Sequence, residues 1–200
     1  EYNPDTVYGQ SKVLTERIVR EADGGGATWC LVRPTTIWGP QMNPNYLLFF
    51  RMLRNGTYVH IGDGSTVKTY GYVRNTVHQL MQLARAPAEA VHRRVFYLAD
   101  YDEITLRRWV EAFRERLGGP RIRSIPLSVA KMFARCGDLL RKLGISGFPF
   151  NSRRLSNVTT PIRANLGPTR DICGDLPVSL EEGVRETSIW ILEVLGRSKP

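Results

Sequence analysis

Long apolar runs are the plainest lack in this sequence. No stretch approaches the ~18 uncharged apolar residues that cross a bilayer, and the opening Glu1-Tyr2-Asn3-Pro4-Asp5 has neither the basic start nor the apolar core of a secretory leader. A soluble, cytoplasmic chain with no membrane partner is therefore expected. Cysteine is scarce: Cys30, Cys136 and Cys173 are odd in number, widely spaced and without a C-x-x-C pair. That excludes a disulfide framework or a zinc ribbon, and all three are expected to be reduced and structural. The three histidines, His60, His78 and His92, lack metal-ligand spacing, so no metal site is expected and each reads as a surface or strand residue. No nucleophile motif occurs, and neither Gly24-Gly25-Gly26 nor Gly62-x-Gly64 continues into G-x-G-x-x-G, so a phosphate cradle opening a helix is missing.

Acidic residues are also in deficit, 19 against 28 lysines and arginines, for a formal net charge of +9. Such an excess suits nucleic acid, an acidic surface or a phosphorylated substrate without choosing among them. The arginines are scattered, as in Arg107-Arg108, Arg114, Arg116, Arg121, Arg123 and Arg153-Arg154, and are not interleaved with aromatics. A nucleic-acid groove is not expected. With 42% hydrophobic and 24% charged residues in 200, the chain can bury the core of one or two globular domains.

Helix and strand signals alternate through the first half. Residues 7 to 21 read as a helix, with Val7, Ser11, Leu14 and Ile18 on one stripe and the glycine run ending it. A buried strand is expected over Thr28 to Val32, closed by Arg33-Pro34, and Gly39-Pro40 turns the chain. A helix over 45 to 54, a strand over Tyr58 to Ile61, a Gly62-Asp63-Gly64 turn, a strand over 68 to 72, a helix over 73 to 86 and a strand over Arg94 to Leu98 follow. The second half is mainly helical. Thr105 is a candidate cap for a helix to about 117. Pro126 fits the first turn of another, along which Val129, Met132, Phe133, Cys136, Leu139, Leu140 and Leu143 recur at helical spacing, and Lys131, Arg135 and Lys142 mark a basic outer face, expected to be an ordinary solvated one, with a membrane-surface role as the alternative. Ser179 with Glu182 forms a capping box for the last helix, which points Leu180, Val184, Thr187, Ile191 and Leu195 inward.

The chemistry centres on Tyr8-Gly9-Gln10-Ser11-Lys12. Four-residue spacing on a helix sets the phenol and the ammonium side by side. A free phenol ionises near pH ~10 and is a poor acid-base group at neutrality, and a fixed neighbouring cation favours the phenolate. Further phrases follow in order: Leu31-Val32-Arg33-Pro34-Thr35-Thr36-Ile37-Trp38-Gly39-Pro40, then Gly62-Asp63-Gly64 with Lys68, Tyr70, Tyr72 and Asn75, then Pro177-Val178-Ser179-Leu180-Glu181-Glu182-Gly183 and Trp190.

These phrases resemble the extended short-chain dehydrogenases/reductases, the NAD-dependent epimerase/dehydratase family, over nearly the whole chain. The resemblance implies an α/β fold: the C-terminal portion of a Rossmann-type enzyme, with residues 1–40 as the last part of the Rossmann domain and 41–200 as a mainly helical substrate-binding region, some segments of which return to the sheet. It implies Tyr8 and Lys12 as catalytic residues, NAD or NADP bordered by Tyr8, Lys12, Pro34 and Thr35, and a substrate bound by Thr36, Lys68 and Tyr70. Thr36 stands where many sugar-nucleotide enzymes carry asparagine, Lys68 replaces a phosphate-binding arginine, and Asn75 replaces the more frequent aspartate. The implied parent is a homodimer acting on a nucleotide sugar, with the dinucleotide fingerprint lying upstream of these 200 residues, so that the chain alone is inactive. A hydroxysteroid dehydrogenase or dihydroflavonol-reductase-like enzyme is the runner-up, and a non-catalytic substrate-binding or interaction domain is the alternative of another class.

Overall fold

The computed structural model describes residues 4, 6–43, 45–145 and 150–197. In chain order the elements are α1 (Val7–Ala22), β1 (Leu31–Pro34), β2 (Thr36–Trp38), α2 (Asn45–Arg54), β3 (Val59–Ile61), β4 (Val67–Lys68), β5 (Tyr70–Tyr72), α3 (Val73–Arg85), α4 (Ala88–Val91), β6 (Val95–Leu98), β7 (Ile104–Thr105), α5 (Leu106–Leu117), β8 (Arg123–Ile125), α6 (Leu127–Lys142), α7 (Ser152–Thr159), α8 (Gly167–Cys173) and α9 (Leu180–Arg197). The helix starts follow capping chemistry. Thr6 Oγ1 accepts from Gly9 N at 2.9 Å for α1, and Thr105 Oγ1 accepts from Arg108 N at 3.2 Å for α5. Ser179 Oγ accepts from Glu182 N at 3.2 Å, while the Glu182 carboxylate turns to Arg185, so one half of the expected capping box forms.

Parallel pairing joins β1 to β6, with Leu31 opposite Val95 and Pro34 opposite Leu98. The strand begins three residues later than the sequence suggests. Trp29 N is taken up by the His92 ring, and pairing starts only where Leu31 N donates to Arg94 O. Pro34 closes the strand as its last residue, on an edge strand whose one described partner is β6; there a missing N–H is tolerated. Next, β2 changes partner and pairs parallel with β5, β3 pairs parallel with β8, and β4 pairs antiparallel with β7. Gly39 makes the turn after β2 at φ +146, and a Cβ there would sit 2.5 Å from Val73.

The main core is aromatic. Trp38, Phe50, Tyr72, Trp109 and Phe113 pack with Val110, Val184 and Ile191, and the Trp38 and Trp109 rings meet edge-on at 5.9 Å. A second cluster of Leu83, Phe96, Leu98 and Cys173 fills the space between β6, α3 and α8. A third, Ala130, Ala134 and Leu155, joins α6 to α7 with Ile61 and Ile125 against it.

Two faces are open. α1 buries none of its residues, and the stripe of Val7, Leu14 and Ile18 faces solvent, as do Val32 and Ile37 on β1 and β2. Parallel strands are ordinarily covered on both faces. α6 departs from its sequence reading more sharply: the residues it buries are Ala130, Ala134 and Gly137, whereas Met132, Phe133, Cys136, Leu139 and Leu143 are exposed. Among the described residues no helix is long and apolar enough to cross a membrane.

Candidate active site

Polar contacts hold α1 to the sheet. Near the helix C-terminus Asp23 accepts from Trp29 Nε1 at 3.1 Å and from the Arg93 guanidinium, which keep its carboxyl down at about 2. Trp29 and Arg93 lie just before β1 and β6, so this end of the helix is level with the strand N-termini. Further toward the helix N-terminus, Glu16 takes the Arg33 guanidinium in a two-pronged ion pair at 2.7 and 2.8 Å, and Arg33 also donates to Tyr97 Oη at 2.9 Å. Arg33 is the third residue of β1, so helix and strand run antiparallel.

Tyr8 is eight residues before Glu16, about 12 Å along a helix axis. Thr36 is three residues past Arg33, about 10 Å along a strand. The two advances match, which carries Tyr8 beyond the C-terminal end of β1, to the level of Thr35 and Thr36. Lys12 lies on the same face, its ammonium 5.3 Å from the centre of the Tyr8 ring, and Tyr8 is 71% exposed. The phenol thus has a cation beside it and open space around it.

Thr35 sits at the switch from β1 to β2. Its N donates to Leu98 O at 3.1 Å and its hydroxyl reaches the same carbonyl at 3.3 Å. Thr36 is opposite Tyr70 in the parallel register, so two of the expected substrate residues are strand neighbours. The Tyr70 ring packs 5.0 Å from Trp109, and burial pushes its phenol well above the ordinary range. Tyr70 also lines a cleft of about 350 Å³ with Trp38, Asp100, Tyr101, Arg108 and Arg170. Tyr8, Lys12, Pro34, Thr35, Thr36 and Lys68 lie outside that lining.

Lys68 stands apart from the sequence expectation. The segment 68–72 is two strands in different sheets, split where Thr69 donates both its N and its hydroxyl to Ile162 O. Lys68 is 4% exposed, and its Nζ donates to Asn157 O at 2.7 Å and Thr160 O at 2.5 Å, at the C-terminal end of α7. The cation expected to meet a diphosphate instead closes a helix terminus, and Lys68, Tyr70 and Tyr72 do not form one continuous strand face.

Sequence reasoning missed Asp100 as a partner of Asn75. Asn75 Nδ2 donates to Asp100 Oδ1 at 2.7 Å and to Val178 O at 2.9 Å, while its Oδ1 accepts from Val178 N at 3.1 Å. Asp100 also accepts from Tyr72 N at 2.9 Å, and burial raises its carboxyl pKa. Asn75 and Asp100 together therefore tie β5, α3, the segment after β6 and the entry to α9. The asparagine at a position where the family has aspartate was the available signal.

Residues 1–99 match the NAD dependent epimerase/dehydratase family. They belong to that family. Among curated relatives, the chain is 28% identical over 184 residues to the 2-alkyl-3-oxoalkanoate reductase of Stenotrophomonas maltophilia, covering 89% of this chain and 56% of that protein. It is 22% identical over 191 residues to the N-acetyl-alpha-D-glucosaminyl-diphospho-ditrans,octacis-undecaprenol 4-epimerase of Escherichia coli O157:H7, covering 93% and 57%. The fold superimposes on the UDP-glucuronic acid 4-epimerase of Bacillus cereus in complex with NAD at a TM-score of 0.67 and 12% identity, over 96% of this chain and 54% of that one. The chain thus spans a little over half the length of the curated relatives it matches.

A family cofactor can be tested against these residues. An exposed phenol with an ammonium over its ring, beyond the C-terminal end of a parallel strand pair, suits the nicotinamide-ribose end of a dinucleotide. The pyrophosphate is different. The glycine run Gly24–Gly26 forms a 3₁₀ turn at the far end of α1, and no glycine-rich turn leads a strand into a helix among the described residues.

Proposed function

We propose that this chain supplies the acid-base pair and the substrate-facing region of an NAD(P)-dependent oxidoreductase that moves a hydride between a nicotinamide and a secondary alcohol carbon. The observation that carries this reading is the Tyr8–Lys12 pair, set by antiparallel packing of α1 on β1 at the level of Thr35 and Thr36. In this reading residues 1–40, with β6 returning beside β1, edge the cofactor-binding layer, and the remainder of 41–200 forms the substrate-binding region.

A bound nicotinamide supplies or accepts the hydride. Tyr8 Oη takes the proton from the substrate hydroxyl as the carbon is oxidised, or returns it on reduction. Lys12 would hydrogen-bond the nicotinamide ribose, which holds the reacting carbon beside Tyr8. Pro34 and Thr35 border the ring, and Thr36 and Tyr70, adjacent across the β2–β5 register, contact the substrate.

The leading substrate is a nucleotide sugar, in keeping with the epimerases among the relatives and structural neighbours. Lys68 favours a second reading, because its ammonium is engaged by two carbonyls and supplies no diphosphate contact. An uncharged alcohol or ketone needs none. The test uses the longer protein that joins this chain to a dinucleotide-binding half. Oxidised nicotinamide is supplied with a panel of UDP-sugars and of steroid and long-chain secondary alcohols, each carrying deuterium on the carbinol carbon. Label passing to the nicotinamide from a sugar supports the first reading, label passing from an apolar alcohol the second, and no transfer from either class removes both.

A further inference from the structure

α6 buries its smallest residues and leaves its largest apolar ones in water. At about 100° per residue, Ala130, Ala134 and Gly137 share an arc of roughly 60°, whereas Val129, Met132, Phe133, Cys136, Leu139, Leu140 and Leu143 share one of roughly 120° on the other side. The small residues let the helix backbone approach Leu155 of α7 and the β3–β8 pair closely, so this is the face that docks. Met132 is 57%, Leu139 58% and Leu143 67% exposed. Beyond the helix Ile145 is exposed as well, and at the stripe's margin Phe133 walls an apolar cavity of about 420 Å³ that Met52, Tyr58, Ile61, Ile125 and Phe150 also line.

The charge on α6 is predominantly positive. Lys131, Arg135 and Lys142 occupy an arc of roughly 40° beside the apolar stripe, and Arg141 adds a fourth cation. Among the described residues none of the four has an ion-pair partner, and the helix's one acid, Asp138, accepts from Ser152 N. We infer that α6 seats the protein on an anionic membrane surface, lying in the interfacial plane with Met132, Cys136, Leu139 and Leu143 among the acyl chains and Lys131, Arg135 and Lys142 at the headgroups. A leucine- and methionine-bearing stripe flanked by lysine and arginine on a helix too polar to span is what such a surface accepts. The net charge of +9 adds long-range attraction to it. This inference is independent of the proposed reaction.

The test is co-sedimentation of the chain with vesicles of phosphatidylcholine mixed with phosphatidylglycerol, against pure phosphatidylcholine. Partition should favour the anionic vesicles and weaken with salt. It should fall about tenfold or more both in Leu139→Gln with Leu143→Gln and in Lys131→Glu with Arg135→Glu. All four side chains are exposed, so the melting temperature should hold; a fluorophore on Cys136, which should shift to the blue on binding, gives a readout free of folding effects. Absence of partition at low salt overturns the inference. Partition unaffected by the leucine pair does so too, since it reports adsorption by charge alone. Dissociation of a dimer by the leucine pair, with vesicle binding unchanged, would assign the stripe to a second copy of the chain instead.

Discussion

Replacing Lys68 by methionine separates its two candidate roles. The side chain is buried with its ammonium on Asn157 O and Thr160 O, where α7 ends and its carbonyls carry partial negative charge. Methionine keeps the volume and removes both donors. Hydrogen bonds from a charged donor are worth about 1.5–3 kcal/mol each. Against that stands the burial that lowers the lysine pKa, since desolvating an ammonium costs several kcal/mol. The net loss should be about 2 kcal/mol, with two carbonyls left without their donor. For a chain of this length that corresponds to about 4–8 °C in melting temperature. Thermal unfolding followed by circular dichroism reads it directly, and in the longer protein the KM for any nucleotide sugar should not move. An unchanged melting temperature together with a KM raised about tenfold or more would refute the anchoring role and restore Lys68 to a diphosphate.

Asn75→Asp should destabilise the fold by about 3 kcal/mol or more, because it sets a second carboxylate against Asp100 and removes the donor to Val178 O; urea titration should show the loss at neutral pH and partial recovery on acidification. His60 gives a pH dependence of known sign. It is fully buried against Tyr58, Glu111 and Arg107, and burial, reinforced by Arg107, lowers its pKa below the ordinary 6.5. Below that value the unfolded chain takes a proton that the native ring refuses, so stability should fall as pH drops from 6.5 toward the depressed pKa, and His60→Gln should flatten that slope in denaturation midpoints measured on either side of it.

Local chemistry made much of the fold legible. The cap at Thr105, the αL stop at Asp23 before three glycines and the 3.6-residue stripe of α9 are contained in short windows, and the helices α5, α1 and α9 follow from them. What escaped was decided far along the chain. The start of β1 depends on His92 and Arg94, more than 60 residues away. The break at Thr69 and the burial of Lys68 depend on the carbonyls of 157–162, about 90 residues away. On α6 periodicity located an apolar stripe correctly and assigned it to the wrong side, because close backbone approach selects small residues where hydrophobicity selects large ones. At the candidate site the Tyr8–Lys12 adjacency follows from helical spacing alone, whereas its level relative to Thr35 and Thr36 needed the Glu16–Arg33 and Asp23–Arg93 contacts.

Tyr8→Phe, made in the protein that joins this chain to a dinucleotide-binding half, puts the central claim to its most direct measurement. The substitution removes one oxygen from a side chain that is 71% exposed, so folding and the affinity for NAD or NADP, read by titration of the nicotinamide fluorescence, should be retained. Single-turnover hydride transfer should fall by about 10²–10⁴, the range of a lost general acid-base group. Transfer that survives Tyr8→Phe at the wild-type rate would contradict the account.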